Sequence, residues 1–166
     1  MDEVLFQFME RVTIKNRPMA VPYNYRPIYK VSELVLILLN CCPSNKGCSA
    51  EKLHIISNVI KNEDDLSTLL DFFDDYKNTL LIIRYDPVVN RALRFAVGEG
   101  LVKIQKNGLM RLTKSGKKFG ELLKDNDSLF KKEKKITEKI SYRLTEEKIN
   151  KILLDWRIND VEIKQA

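Results

Sequence analysis

Asp86-Pro87-Val88-Val89-Asn90-Arg91-Ala92-Leu93-Arg94-Phe95-Ala96-Val97-Gly98-Glu99-Gly100, continuing through Leu101 to Leu112 and into Thr113-Lys114-Ser115-Gly116, is the stretch on which the fold turns. Asp86 can accept the first free amides of a helix, and Pro87 suits the first helical position, where no amide donor is needed. At about 100° per residue, Val88, Val89, Ala92, Leu93, Phe95, Ala96 and Val97 cover most of the circumference. The expected helix is therefore deeply packed, leaving a narrow strip of Pro87, Asn90, Arg91, Arg94 and Gly98. Gly100 can take the left-handed conformation that ends it.

A hairpin follows, and its register can be argued. A two-residue Asn107-Gly108 turn would set Ile104 against Arg111, mixing core and solvent faces. A three-residue loop, Lys106-Asn107-Gly108, sets Val102 against Leu112 and Ile104 against Met110, so the apolar sides agree. A type I turn closed by left-handed Gly108 supplies such a loop. The same register puts Lys103 opposite Arg111, a repulsion of a few tenths of a kcal/mol that nearby anions would relieve. Thr113 then caps a helix reaching about Lys124. Helix, hairpin and helix in this order predict a mainly α protein built on a winged helix-turn-helix core with a small β-hairpin wing.

Working outward, residues 28–124 form the expected core domain, with an N-terminal helix and extended arm over 1–27 and a helical extension over 125–166. Val4, Leu5, Phe8 and Val12 share one side of a short helix. Three prolines and two tyrosines between Arg17 and Pro27 read as an extended arm, lying either on its own domain or, through Tyr25, on a partner. Val31, Leu34, Val35, Leu38 and Cys41 or Cys42 recur at helical spacing. Ser49 can cap a helix over Ala50 to Lys61, striped by Leu53, Ile56 and Ile60, with His54 off the stripe and so on the surface. A third helix starts at Asn62 to Asp65. Its Asp71, Asp74 and Asp75 read as a solvated face or a contact for a basic partner. The run from Thr79 to Tyr85 could be strand or helix end. Leu129 to Ile140 is lysine-rich. Thr145 can cap a last helix whose Ile149, Ile152, Leu153 and Trp156 must be buried on this domain or in another chain's groove.

No apolar run approaches the ~20 residues of a membrane span, and no secretory signal is visible, so a cytoplasmic protein is expected. Cys41, Cys42 and Cys48 lack metal-ligand spacing and read as small core residues around the end of the first core helix. There is no phosphate-binding glycine loop and no base beside a nucleophile, since His54 is the lone histidine. The reading is a non-enzyme with no cofactor, no metal and no small-molecule substrate.

Charge gives the partner its first clue. The formal net charge is +6. Residues 1–100 carry 12 basic and 13 acidic groups, and residues 101–166 carry 17 and 10. Such asymmetry points to a polyanion or an acidic surface facing the C-terminal half. Arg91, Arg94, Lys103, Lys106, Arg111, Lys114, Lys117 and Lys118 are the candidate nucleic-acid contacts. Base reading is less well supported, because the expected helix exposes few side chains.

Tyr25-Arg26-Pro27 through Lys30, the leucine-rich first helix, Ser49 to His54, Arg91-Ala92-Leu93-Arg94-Phe95-Ala96 through Gly100-Leu101, and Leu112-Thr113 with Gly116 and Phe119 carry a family likeness. Across residues 25–123 the chain resembles the middle component of three-component ABC-ATPase systems, the small subunit of Lamassu-type bacterial defence operons. The resemblance implies a non-catalytic subunit that associates with an SMC-like ABC ATPase and an effector, often a nuclease. It would connect DNA sensing to effector control during phage or plasmid invasion. A winged-helix DNA-binding regulator is the alternative reading, and an uncharacterised enzyme a third.

Overall fold

The computed structural model describes residues 22–43, 45–75 and 83–165, with side chains as far as residue 155. Within them lie seven α-helices and a two-stranded antiparallel sheet. The helices are α1 (Pro27–Cys41), α2 (Ala50–Lys61), α3 (Glu63–Asp74) and α4 (Pro87–Gly98), then α5 (Lys114–Asp125), α6 (Lys131–Ile140) and α7 (Glu146–Gln165). Strands β1 (Val102–Ile104) and β2 (Met110–Leu112) stand between α4 and α5. The expected helix over residues 4–12 and the run 79–82 lie outside the described residues.

The centre of the molecule is α1, buried on every side from Lys30 to Leu38. A helix enclosed all round needs neighbours on each flank, and α2, α4, α5 and α6 supply them. It begins earlier than the pattern predicted. Pro27, read as the end of an extended arm, is the first helical residue, and Tyr23–Tyr25 form a 3₁₀ turn before it. Pro27 fits there because its missing N–H is not required.

Burial inside α1 extends to charged groups. Lys30 and Glu33 are fully enclosed, with Lys30 Nζ 2.8 Å from both Glu33 carboxylate oxygens. Ser57 Oγ of α2 donates to Glu33 Oε1 at 2.6 Å and accepts from Lys30 Nζ at 3.2 Å. Burial pushes the Glu33 carboxyl up, opposed by Lys30 and Ser57. At the other end of α1, Lys52 Nζ donates to the Cys41 carbonyl at 2.7 Å. A cation there satisfies an otherwise unpaired carbonyl at the negative end of the helix dipole.

Helix α2 runs over the predicted residues, with Ser49 accepting from the Lys52 amide. In α3 Asn62 caps, Leu69 and Phe72 are buried, and Asp71, Asp74 and Asp75 face outward. Helix α4 starts on Asp86, whose carboxylate accepts from the Val88 amide at 2.8 Å. It ends in two nested bonds, Leu101 N–H to Ala96 O and Gly100 N–H to Val97 O, with Gly100 at φ +67°. The hairpin has the argued register, Val102 opposite Leu112, Lys103 opposite Arg111 and Ile104 opposite Met110. Its three-residue loop closes by Gly108 N–H to Gln105 O and Gln105 N–H to Leu109 O, with Gly108 at φ +79°. Cys48 adds a one-residue bridge to Met110, exchanging both backbone bonds at 2.9 and 2.7 Å. That bridge had no signal in the sequence, because a single residue has no periodicity.

The helices after residue 125 share the same core. Ile136, Ile140, Leu144, Ile149 and Ile152 are buried against it, and α6 packs along α1. Tyr29 donates to Glu133, Asn40 Nδ2 to Thr137 Oγ1 at 3.0 Å, and Cys41 Sγ to the Thr137 carbonyl at 3.4 Å. Burial, then the bond to Glu133, pushes the Tyr29 phenol up. The stripe read on the last helix is therefore spent on this chain for Ile149 and Ile152, with Leu153 partly buried beside them. The side chain of Trp156 lies outside the described residues.

Candidate docking surface

Helix α4 meets the core along one face only. Val89, Ala92 and Ala96 are buried, while Val88, Leu93 and Val97 are half-buried. Pro87, Asn90, Arg91, Arg94 and Gly98 are exposed, and Phe95 joins them at 49%. The five residues expected on the exposed strip are exposed, but the helix is less deeply packed than expected, since Phe95 joins them and Val88, Leu93 and Val97 are only half-buried. Counting apolar residues round the helix assumed that each would find a neighbour. In the fold α1 takes the central place, and α4 lies against it along a seam that includes two alanines. Leu93, Phe95 and Val97 are left at or beyond the edge of that seam.

Beside this helix stands the first strand of the hairpin. Asn90, Leu93, Arg94 and Val97 of α4 and Ile104 of β1 line an open groove of about 500 Å³. Ile104 was expected on the buried side of the hairpin with Val102, Met110 and Leu112. Those three are buried, but Ile104, next to the loop, is 59% exposed. The pleat sets its direction correctly, yet the core ends before reaching it. The groove is thus lined by three apolar side chains together with the polar Asn90 and the guanidinium of Arg94.

His54 fixes where α4 starts. It is 1% exposed, not on the surface as its position off the stripe suggested. Its Nδ1 accepts from the Asp86 amide at 3.1 Å, so Nε2 carries the proton and donates to Asn90 Oδ1 at 3.0 Å. The Tyr85 ring closes over it edge-on at 5.1 Å. Lys61 also pairs with Asp86. Burial alone would raise the Asp86 carboxyl, but Lys61 and the Val88 amide reverse that and hold it below 3.8. The sequence showed a lone histidine. What it could not show was that residues 85–90 would fold over it.

The eight basic candidates lie on three elements, α4, the hairpin and α5. Arg94 borders the groove, and Arg91 is exposed on the same helix. Lys103 and Lys106 are exposed on the hairpin, and Lys114 and Lys118 on α5. Arg111 and Lys117 are half-buried and line a separate small cavity with Tyr142. Of the partner-binding candidates, Tyr25 is 51% exposed, with the Lys61 ammonium 5.7 Å from its ring centre. Asp71, Asp74 and Asp75 are exposed. Asp74 accepts from Arg143 Nη2 at 3.1 Å, and Arg143 also lies 4.6 Å from the Phe73 ring centre. This acidic helix is already engaged in part by basic groups of its own chain. Ile149 is buried and offers nothing to a partner.

The three cysteines are buried free thiols, as their reading as core residues required. Burial raises the Cys41 thiol to about 12, and a hydrogen bond with Cys42 followed by burial raises Cys48. A thiol held that far from ionisation, as at Cys41 and Cys48, is a poor nucleophile. Among the described residues no group of three or more His, Cys, Asp or Glu side chains is arranged to hold a metal ion. No described helix is long and apolar enough to cross a membrane. Compared with protein-family models, curated proteins and solved structures, the chain gave no match.

Proposed function

We propose that the chain is a winged-helix docking subunit. In this reading α1, α2 and α4 are the three helices of the core, α3 is an insertion before α4, and the hairpin is the wing. The Cys48–Met110 bridge stands where a short first strand would pair with the second strand of the wing. The observation that carries the proposal is the outward face of α4, where Arg94 and the apolar Leu93, Val97 and Ile104 line an open groove. Apolar side chains with a guanidinium among them suit an amphipathic acidic segment of another protein. Taken with the resemblance of residues 25–123, this supports a non-catalytic accessory subunit of a bacterial anti-phage and anti-plasmid complex. It would link an SMC-like ABC ATPase to an effector nuclease.

The test is co-expression with an SMC-like ATPase and effector encoded beside this chain. Co-purification that is lost in the double variant Arg94→Glu/Ile104→Glu supports the proposal. A chain that stays alone beside both partners rejects it.

A DNA-binding regulator is the second reading. The width of the exposed α4 face favours it, since Arg91, Arg94 and Phe95 all project from a helix that can enter a groove. It calls for binding that weakens steeply with salt and is lost in Arg91→Glu/Lys103→Glu/Lys106→Glu. Binding that survives those changes excludes that surface.

A further inference from the structure

The cross-strand pair Lys103–Arg111 sets two like charges together, and the surroundings of Arg111 make the arrangement more demanding. Arg111 Nε is buried and has no hydrogen-bond partner among the described residues. A buried donor left without an acceptor is costly, and more so when it is charged. Arg111, Lys117 and Tyr142 line one half-enclosed cavity of about 40 Å³, closed otherwise by apolar side chains such as Leu38 and Leu112. No acidic residue lines it among the described residues, and none there forms an ion pair with Arg111 or Lys117. A water needs roughly 10–15 Å³ of such space, so the cavity has room for more than one water-sized group and is open to solvent on one side.

We propose that this cavity binds a phosphate group, with Arg111 and Lys117 supplying the positive charge and the Tyr142 hydroxyl a third donor. The guanidinium of Arg111 and the ammonium of Lys117 each neutralise an oxygen. Lys103 across the strand adds to the field. The same chemistry is offered by inorganic phosphate and by a nucleic-acid backbone. The cavity shares no lining residue with the α4 groove, so the proposal goes beyond protein docking and stands or falls separately from it.

Thermal unfolding of the full chain is measured against inorganic phosphate and against chloride at fixed ionic strength. The expected result is a saturable rise in Tm with phosphate alone. In Lys117→Gln, a change on a half-exposed side chain that leaves the fold intact, the midpoint concentration rises at least tenfold. Arg111→Gln abolishes the rise. A rise that chloride reproduces, that fails to saturate, or that is unchanged in Lys117→Gln overturns the site. A labelled random-sequence DNA duplex then separates the sources. Displacement of the duplex by saturating phosphate, with matching loss in Lys117→Gln, assigns the site to the nucleic-acid backbone. A phosphate-dependent Tm with duplex binding unaffected, or with no duplex binding, assigns it to the free ion.

Discussion

Lys30 and Glu33 lie one turn apart on the central helix, where neither can reach water. A buried pair gains little over apolar residues of the same size, but removing one member strands the other. Lys30→Met alone is expected to cost about 3–5 kcal/mol. Lys30→Met/Glu33→Met should recover most of that loss, measured as the midpoint of urea unfolding. A double variant as unstable as the single one would show that the pair stabilises in its own right. His54 works differently, because both ring nitrogens are engaged with the segment that starts α4. His54→Leu leaves the Asp86 amide without its acceptor. It should cost about 2 kcal/mol in the same measurement, with accelerated amide exchange at Asp86 as its local sign. Exchange unchanged at that amide would remove His54 from its anchoring role.

Among the elements, the start of α5 is the tightest junction. A Cβ at Gly116 would sit 2.0 Å from the Leu101 carbonyl oxygen, a backbone atom that cannot swing aside. Thr113 closes the same corner, accepting from the Gly116 amide at 3.0 Å and donating to the Gly100 carbonyl at 2.6 Å. The end of α4, the hairpin and the first turn of α5 are thereby locked to one another. Gly116→Ala must spread that corner and is expected to destabilise by about 2–3 kcal/mol, as overpacking does. Gly98→Ala meets no atom within 4 Å and serves as the control. Equal melting temperatures for the two variants would contradict the close approach.

On the scale of the molecule, α6 and α7 are walls of the core that encloses α1, and Ile149 at 1% exposed is part of it. Ile149→Ala removes a fully buried side chain and should cost about 2–5 kcal/mol. The loss should appear as one cooperative transition, with far-UV and near-UV circular dichroism melting together. Two separated transitions would mean that the C-terminal helices fold as a unit of their own. The exposed face of α4 also belongs to this scale, since it exists because the available helices surround α1 first.

Local chemistry was legible in the chain. Asp86, Ser49, Thr113 and Thr145 as caps, the limits of α2, the left-handed Gly100 and Gly108, and the hairpin register are each set by groups a few residues apart. A hydrogen-bonding side chain or a two-residue pleat carries that information in a short window. The choice of which helix occupies the centre was not of this kind. Leu93, Phe95 and Ile104 look as apolar as Leu34 and Val35, and only the finite number of packed neighbours decides which of them meet water. The burial of His54, Lys30 and Glu33 depended likewise on partners 24 to 36 residues away. Chain-local forces wrote the elements, while competition for a limited interior assigned their faces.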